Sequence, residues 1–166
     1  MRRLSRTRLL TVPARSLHRF LFANSGTTPR LNQTLCAFAA QIIFKRANDF
    51  GPCGSMGVFK NDTLIAAVVF HSWLPDYGIM EISAAATNPQ WLTKTTIREI
   101  MANCFESHNC QQLVSRMAVG NERAVKIYKF LGFTSVLLPN MRGRGKDEFL
   151  MLLTKEQWHA HKLNRK

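Results

Sequence analysis

Leu31, Leu35, Phe38, Ala39, Ile42 and Ile43 recur every three or four residues, which gathers them on one face of an amphipathic helix over residues 30–46. The loop Asn24-Ser25-Gly26-Thr27-Thr28-Pro29 precedes this helix, and Phe50-Gly51-Pro52-Cys53-Gly54 ends it and turns the chain. Two short runs follow, 55–60 and 63–71, rich in β-branched and aromatic residues and separated by Asn61-Asp62. They predict an antiparallel hairpin on a turn dipeptide weaker than Asn-Gly. Residues 72–78 form a loop. Residues 79–86 predict a strand with Met80, Ile82 and Ala84 on one face and Glu81 and Ser83 on the other.

After Asn88-Pro89 the helical spacing returns, with Ile97, Ile100, Met101, Cys104 and Phe105 predicting a helix over residues 92–106. A strand over 112–119, a helix over 121–131 closed by Gly132 and a strand over 133–138 come next. Arg142-Gly143-Arg144-Gly145-Lys146 reads as a mobile basic loop, 149–153 as the last strand and 155–162 as a short helix or tail. This order gives a mixed sheet with helices on its faces, an α/β class. The length fits one domain, expected over residues 31–158, between a basic segment 1–30 and a basic tail 159–166.

Charge changes the picture at the N-terminus. The net charge is +13, yet residues 1–48 hold nine Lys and Arg and no acid, whereas 49–166 hold fourteen against ten. The domain proper is only mildly basic, and the leading segment has the composition of a targeting presequence or a nucleic-acid arm. Leu9-Leu10-Thr11-Val12 offers the alternative of a first strand within it. Cys36, Cys53, Cys104 and Cys110 lack the spacing of a disulfide scaffold and read as free thiols in a reducing, cytoplasmic compartment. Cys104, His108 and Cys110 lack a fourth ligand and a tight pair, so no metal is expected. No apolar run is long enough to cross a bilayer; residues 64–70 have the length of a buried strand.

The stretch from Asn121 to Phe133 carries the most chemistry. Asn121 can cap a helix, Glu122 complements its dipole, and Ala124, Ile127, Tyr128 and Leu131 form a buried stripe. Gly132 can take the left-handed conformation that ends it. Together these residues closely resemble the second cofactor motif of the Gcn5-related N-acetyltransferases. The resemblance extends from Leu31 to about Trp158. It implies the acyl-CoA N-acyltransferase fold, a mostly antiparallel central sheet splayed in the middle, and acetyl-coenzyme A as cofactor.

Carried over by motif position, the resemblance implies that Asn121 contacts the cofactor, Ala124 lets it pass and Tyr128 points at the thioester sulfur. It makes 79–86 the central strand, whose Ala84, Ala85, Ala86 and Thr87 would bond the pantetheine arm. The next helix, expected to begin near Trp91 or Leu92, would aim free amides at the pyrophosphate with help from Thr93, Lys94 and Thr95. Residues 87–96 contain none of the family's spaced glycines. They are similar to a Pro-x-Trp segment of divergent members, several of them from bacteriophages, which would place the protein in the host cytoplasm or the virion.

For transfer to an amine, Glu81 is the leading general base, His71 the second candidate and Tyr128 the acid for the departing thiolate. Ala85 or Ala86 would supply the oxyanion donor from its backbone. Trp73, Asp76 and Tyr77, before the central strand, and Ser83 are candidate substrate contacts; Trp, Asp and Tyr together can receive a cationic amine. His108, His159 and His161 read as peripheral. The basic loop points instead to an acidic protein or RNA partner. The Trp, Asp and Tyr set favours a protein amine, on a lysine side chain or an amino terminus, or a small amine as acceptor; its identity and the oligomeric state stay open, a dimer included. Two alternatives stand beside the enzyme: a non-catalytic virion-associated or nucleic-acid-binding protein on the same fold, and an aminoacyl-tRNA N-acetyltransferase.

Overall fold

The computed structural model describes residues 18–47 and 49–165, so Leu9-Leu10-Thr11-Val12 and most of the basic leading segment lie outside the described residues. Among the described residues seven strands form one sheet: β1 (Arg19–Asn24), β2 (Gly54–Lys60), β3 (Thr63–Leu74), β4 (Ile79–Ala86), β5 (Gln112–Ala118), β6 (Thr134–Leu138) and β7 (Glu148–Thr154). Their order across the sheet is β1-β2-β3-β4-β5-β7-β6. Every neighbouring pair is antiparallel except β4 and β5, which run parallel. That parallel ladder joins only Ile79–Glu81 to Gln112–Val114. Past Glu81 and Val114 the two strands part, as the resemblance implies.

The β2–β3 hairpin closes on Asn61 and Asp62, both left-handed at φ 49° and 60°. Asn and Asp tolerate that conformation, so the turn matches the twist of the strands without a glycine. β3 runs three residues further than its hydrophobic pattern predicts and bulges between His71 and Leu74, with Ser72 at φ 51°. Trp73 therefore belongs to a strand and not to a loop.

Side-chain alternation divides the molecule into two packed layers. On one face α1 (Pro29–Phe44) lies over β1 to β4, with Leu35 and Ala39 against Ala67, Val69 and Ala85. Gly57 lets this helix approach, since a Cβ there would come within 2.8 Å of Leu35 Cδ2. On the other face Met56, Val58, Val68, Phe70, Met80 and Ile82 pack against α2 (Lys94–Met101) and the π-helical turn Ala102–Ser107. α3 (Glu122–Phe130) and α4 (Lys155–Ala160) complete that layer through Val125 and Trp158. Fully buried side chains such as Phe105, Leu113 and Leu153 contribute about 1.5–3 kcal/mol each by leaving water.

Residues 92–106 do not make one helix beginning at Trp91 or Leu92. Pro89 opens a 3₁₀ turn, Pro89–Trp91, whose start is capped by Asn88 Oδ1 accepting from Gln90 N. Leu92 interrupts the chain at φ −89° and ψ 80°, and Thr93 caps a new helix by accepting from Thr96 N at 3.1 Å. The basic loop is also folded back: Arg142 N bonds Lys146 O, and Arg142 Nε reaches Glu148.

All four cysteines are free; Cys36 Sγ and Cys53 Sγ lie 3.6 Å apart, and Cys104 and Cys110 are buried. Among the described residues no helix is long and apolar enough to cross a membrane.

Candidate active site

A cavity of about 870 Å³ runs through the sheet where β4 and β5 part. Its two halves follow from strand alternation. On the α2 and α3 side its wall is formed by Ala84, Ala86, Trp91, Ser115, Ala124 and Tyr128. On the α1 side the wall carries His71, Glu81, Ser83, Arg116, Arg142 and Glu148. Small side chains at Ala84, Ala85 and Ala86 keep the gap open between them.

Asn121 caps α3 by accepting from Ala124 N at 3.3 Å, and its Oδ1 is thereby used, leaving Nδ2 to meet a ligand. Gly132, at φ 92°, turns the chain after the helix so that Phe133 packs edge-on to Tyr128 at 4.8 Å. The Tyr128 hydroxyl accepts a hydrogen bond from Ser115 Oγ at 3.0 Å. Burial raises its pKa, so the phenol is protonated at neutral pH and is a donor rather than a base.

Glu81 is half-buried, and burial raises its pKa; Arg116 works against that shift and Glu148 with it. A carboxylate so tuned is a better proton acceptor near neutral pH than an exposed one. His71 lies across from it on β3, its Nε2 3.0 Å from Ser83 Oγ and its Nδ1 3.1 Å from Ser72 Oγ. Burial drives its pKa down to about 4, which makes the ring neutral at physiological pH. A ring with both nitrogens engaged by hydroxyls holds Ser83 in place more readily than it takes a proton from an amine.

The cavity gathers Glu81, His71, Ser83, Ala84, Ala85, Ala86, Thr87, Trp91, Leu92, Asn121, Ala124 and Tyr128. Thr93, Lys94 and Thr95 stand at the start of α2 behind the 3₁₀ turn and do not line it. Trp73, Asp76 and Tyr77 sit at the opposite, paired end of β4. Trp73 lines a second cavity of about 460 Å³ and meets the His108 ring edge-on at 6.0 Å, while Tyr77 is 65% exposed. His108, His159 and His161 bond Asn103 O, Glu106 and Phe130 O, which are structural ties.

Sequence reasoning passes over the buried Glu148 and Arg116, and it reads Arg142 only as part of a basic loop for an acidic or RNA partner, whereas the side chain pairs with Glu148 of its own chain. Arg116 donates to Glu148 Oε2 from Nε and Nη2 at 3.0 and 2.6 Å, and Arg142 Nε reaches Oε1 at 3.0 Å. The available signal is Arg116 itself, a charge within a strand, and it stands past Val114, where β5 has only β7 as its partner.

No protein-family model matches the chain, and no curated protein matches it. Solved structures do. The dodecameric spermidine N-acetyltransferase from Vibrio cholerae superposes with a TM-score of 0.66 at 16% identity, over 86% of this chain and 98% of that one. A putative acetyltransferase from T. thermophilus gives 0.56 at 15% identity over 68% of this chain, and a probable acetyltransferase gives 0.55 at 18% over 63%. This chain spans 63% of the length of each of the latter two. Likeness at such identities speaks to architecture, and together with the parted β4 and β5 it establishes that the chain has the acyl-CoA N-acyltransferase fold of the Gcn5-related N-acetyltransferases.

Proposed function

We propose that the protein transfers an acetyl group from acetyl-coenzyme A to a primary amine. The observation that carries this reading is the continuous cavity through the parted strands. It joins a side of small residues and the start of α3 to a side of ionisable groups, which suits a cofactor and an amine that meet in the gap. That the neighbouring structures include enzymes acting on spermidine supports an amine as the acceptor.

The residues present fit the cofactor. Among the described residues the β5-facing edge of β4 beyond Glu81 has no strand partner, and Ala84 and Ala86 turn their backbone groups to it for an extended arm, while Thr87 N bonds Ile65 O on β3. Ala124 leaves room at the first turn of α3, and Asn121 Nδ2 is a donor beside it. The amides opening α2, with Lys94, would meet a pyrophosphate only where it extends past the 3₁₀ turn, since they lie outside the cavity lining, and Thr93 already occupies the amide of Thr96. Bound there, acetyl-coenzyme A supplies an acyl group activated as a thioester.

Glu81 accepts the proton that the amine must lose, directly or through a water. The backbone N–H of Ala86 donates to the carbonyl oxygen as charge builds on it, since Ala85 turns its own N–H to β3 in the ladder that continues with Thr87 N bonding Ile65 O. Tyr128, held by Ser115, supplies the proton for the departing sulfur. Ser83, fixed by His71, orients the amine.

Calorimetry with acetyl-coenzyme A tests the reading directly, with saturable one-to-one binding expected. No heat of binding with the coenzyme at about 500 μM would sink it. Mass spectrometry of candidate amines after incubation then tests transfer.

A further inference from the structure

Asp49 and Glu81 line the cavity together with Arg116, Arg142 and Glu148, and Glu81 feels the charges of both Arg116 and Glu148. Arg116 and Arg142 converge on Glu148, whose carboxylate is buried at 4% exposure while the arginines keep 39% and 36%. Both Glu148 oxygens are engaged, and the bonds draw on Nε and Nη2 of Arg116 and Nε of Arg142. The remaining terminal nitrogens, Nη1 of Arg116 and both of Arg142, are thus not spent on Glu148. Two guanidinium groups held apart by one carboxylate, with donors to spare and a cavity beside them, form a receptor for a planar or tetrahedral anion.

Position relates this receptor to the base. Val114 is the β5 partner of Glu81, and Arg116 follows it by two residues on the same face, about 7 Å along a strand. An acceptor whose amine meets Glu81 would bring its neighbouring atoms to Arg116 and Arg142. A polyamine there would set a second cation against two arginines.

Resting on the acetyltransferase reading, we propose that the acceptor is a small zwitterionic amine. Its amino group carries a carboxylate or a phosphate a few atoms away, and Arg116 and Arg142 hold that anion. Ile42, Phe44, Phe50 and Met141, on the same wall, would receive an apolar side chain.

The test compares matched pairs on the intact protein by calorimetry, which needs no turnover, and by acetylation rate. L-phenylalanine is set against phenethylamine for the carboxylate, O-phosphoethanolamine against ethanolamine for the phosphate, and spermidine serves as the polycation. The anionic member of at least one pair is expected to bind at least about tenfold more tightly than its partner and than spermidine. Which pair responds identifies the anion. In Arg142→Gln that ratio should collapse towards one, and it should recover in part in Arg142→Lys. The inference is overturned if neither anionic member exceeds both its neutral partner and spermidine by that margin, or if none of the five binds. Neither result touches the coenzyme titration, so the failure of this inference and of the acetyltransferase reading can be told apart.

Discussion

The two sides of the parted strands are built in different ways. On the α2 and α3 side, thirteen consecutive residues supply a cap, a small residue, a phenol and a closing glycine, and the helix itself sets their relative positions. On the α1 side the groups come from β3, β4, β5, β7 and the loop after β6, and only the sheet's register brings them together. The first side is mostly apolar and holds one half-buried phenol; the second holds a neutral imidazole, a carboxylate with a raised pKa and an Arg–Glu–Arg cluster. A shape-recognising half and a charge-managing half would suit a large cofactor and a small titratable acceptor.

The sharpest break between the halves is Glu81→Gln. It keeps size and removes proton acceptance, so kcat should fall by about 10²–10⁴-fold while the affinity for acetyl-coenzyme A, read by calorimetry, stays within about twofold. The wild-type rate should fall as pH drops through the raised pKa of Glu81, placing the acid limb above the ordinary carboxylate range, and the variant should lack that limb. A rate unchanged in Glu81→Gln removes it from the chemistry.

His71 sharpens the contrast through stability. Its folded pKa, about 4, lies below the ordinary 6.5, so between those values the unfolded chain binds a proton that the native ring does not. Stability should therefore decline as pH falls from 6.5 to 4, by about 3 kcal/mol at most. Urea titrations at several pH values would show it, and His71→Gln should flatten the slope in that window.

Much of the fold can be read from the chain because periodicity reports which face is buried. β4 falls on its expected residues, and α3 starts at its cap. The deviations have local causes. Leu92 and Thr93 split a hydrophobic pattern that looks continuous, because a Thr at a helix start competes for backbone amides. β3 carries Trp73 into the sheet past a bulge that no residue type announces. The Arg116–Glu148–Arg142 cluster leaves almost no trace. Arg116 lies far along the chain from the other two, and those are separated by a turn whose fold-back depends on Gly143 and Gly145 at positive φ. Contiguous motifs are legible; constellations assembled across strands are not.

Tyr128→Phe tests the apolar half at smaller amplitude. Removing the hydroxyl leaves the ring against Phe133 and takes away both the proton donor and the acceptor of the Ser115 bond. A loss of about 10²-fold in kcat is expected with thioester as donor. The loss in stability should be about 1 kcal/mol. An acyl donor with a more acidic thiol leaving group should recover much of the rate, because a better leaving group needs less protonation. A loss in stability with no loss in rate would reduce Tyr128 to packing.

Asn121→Ala should have the smallest effect and divides binding from folding within one residue. Its Oδ1 caps α3 through Ala124 N, so the helix should lose about 1 kcal/mol, measured as a lower urea midpoint. Asn121→Asp keeps an acceptor for that cap and adds a charge favourable to the helix dipole, but it replaces the Nδ2 donor with an acceptor. The two variants should then part company: Asp retains stability, while both lose affinity for acetyl-coenzyme A by a few-fold, the cost of one hydrogen bond at about 1 kcal/mol. Should Asn121→Asp bind the coenzyme like wild type, the residue serves the helix alone, and the apolar half of the cavity recognises its ligand by shape and backbone without that side chain.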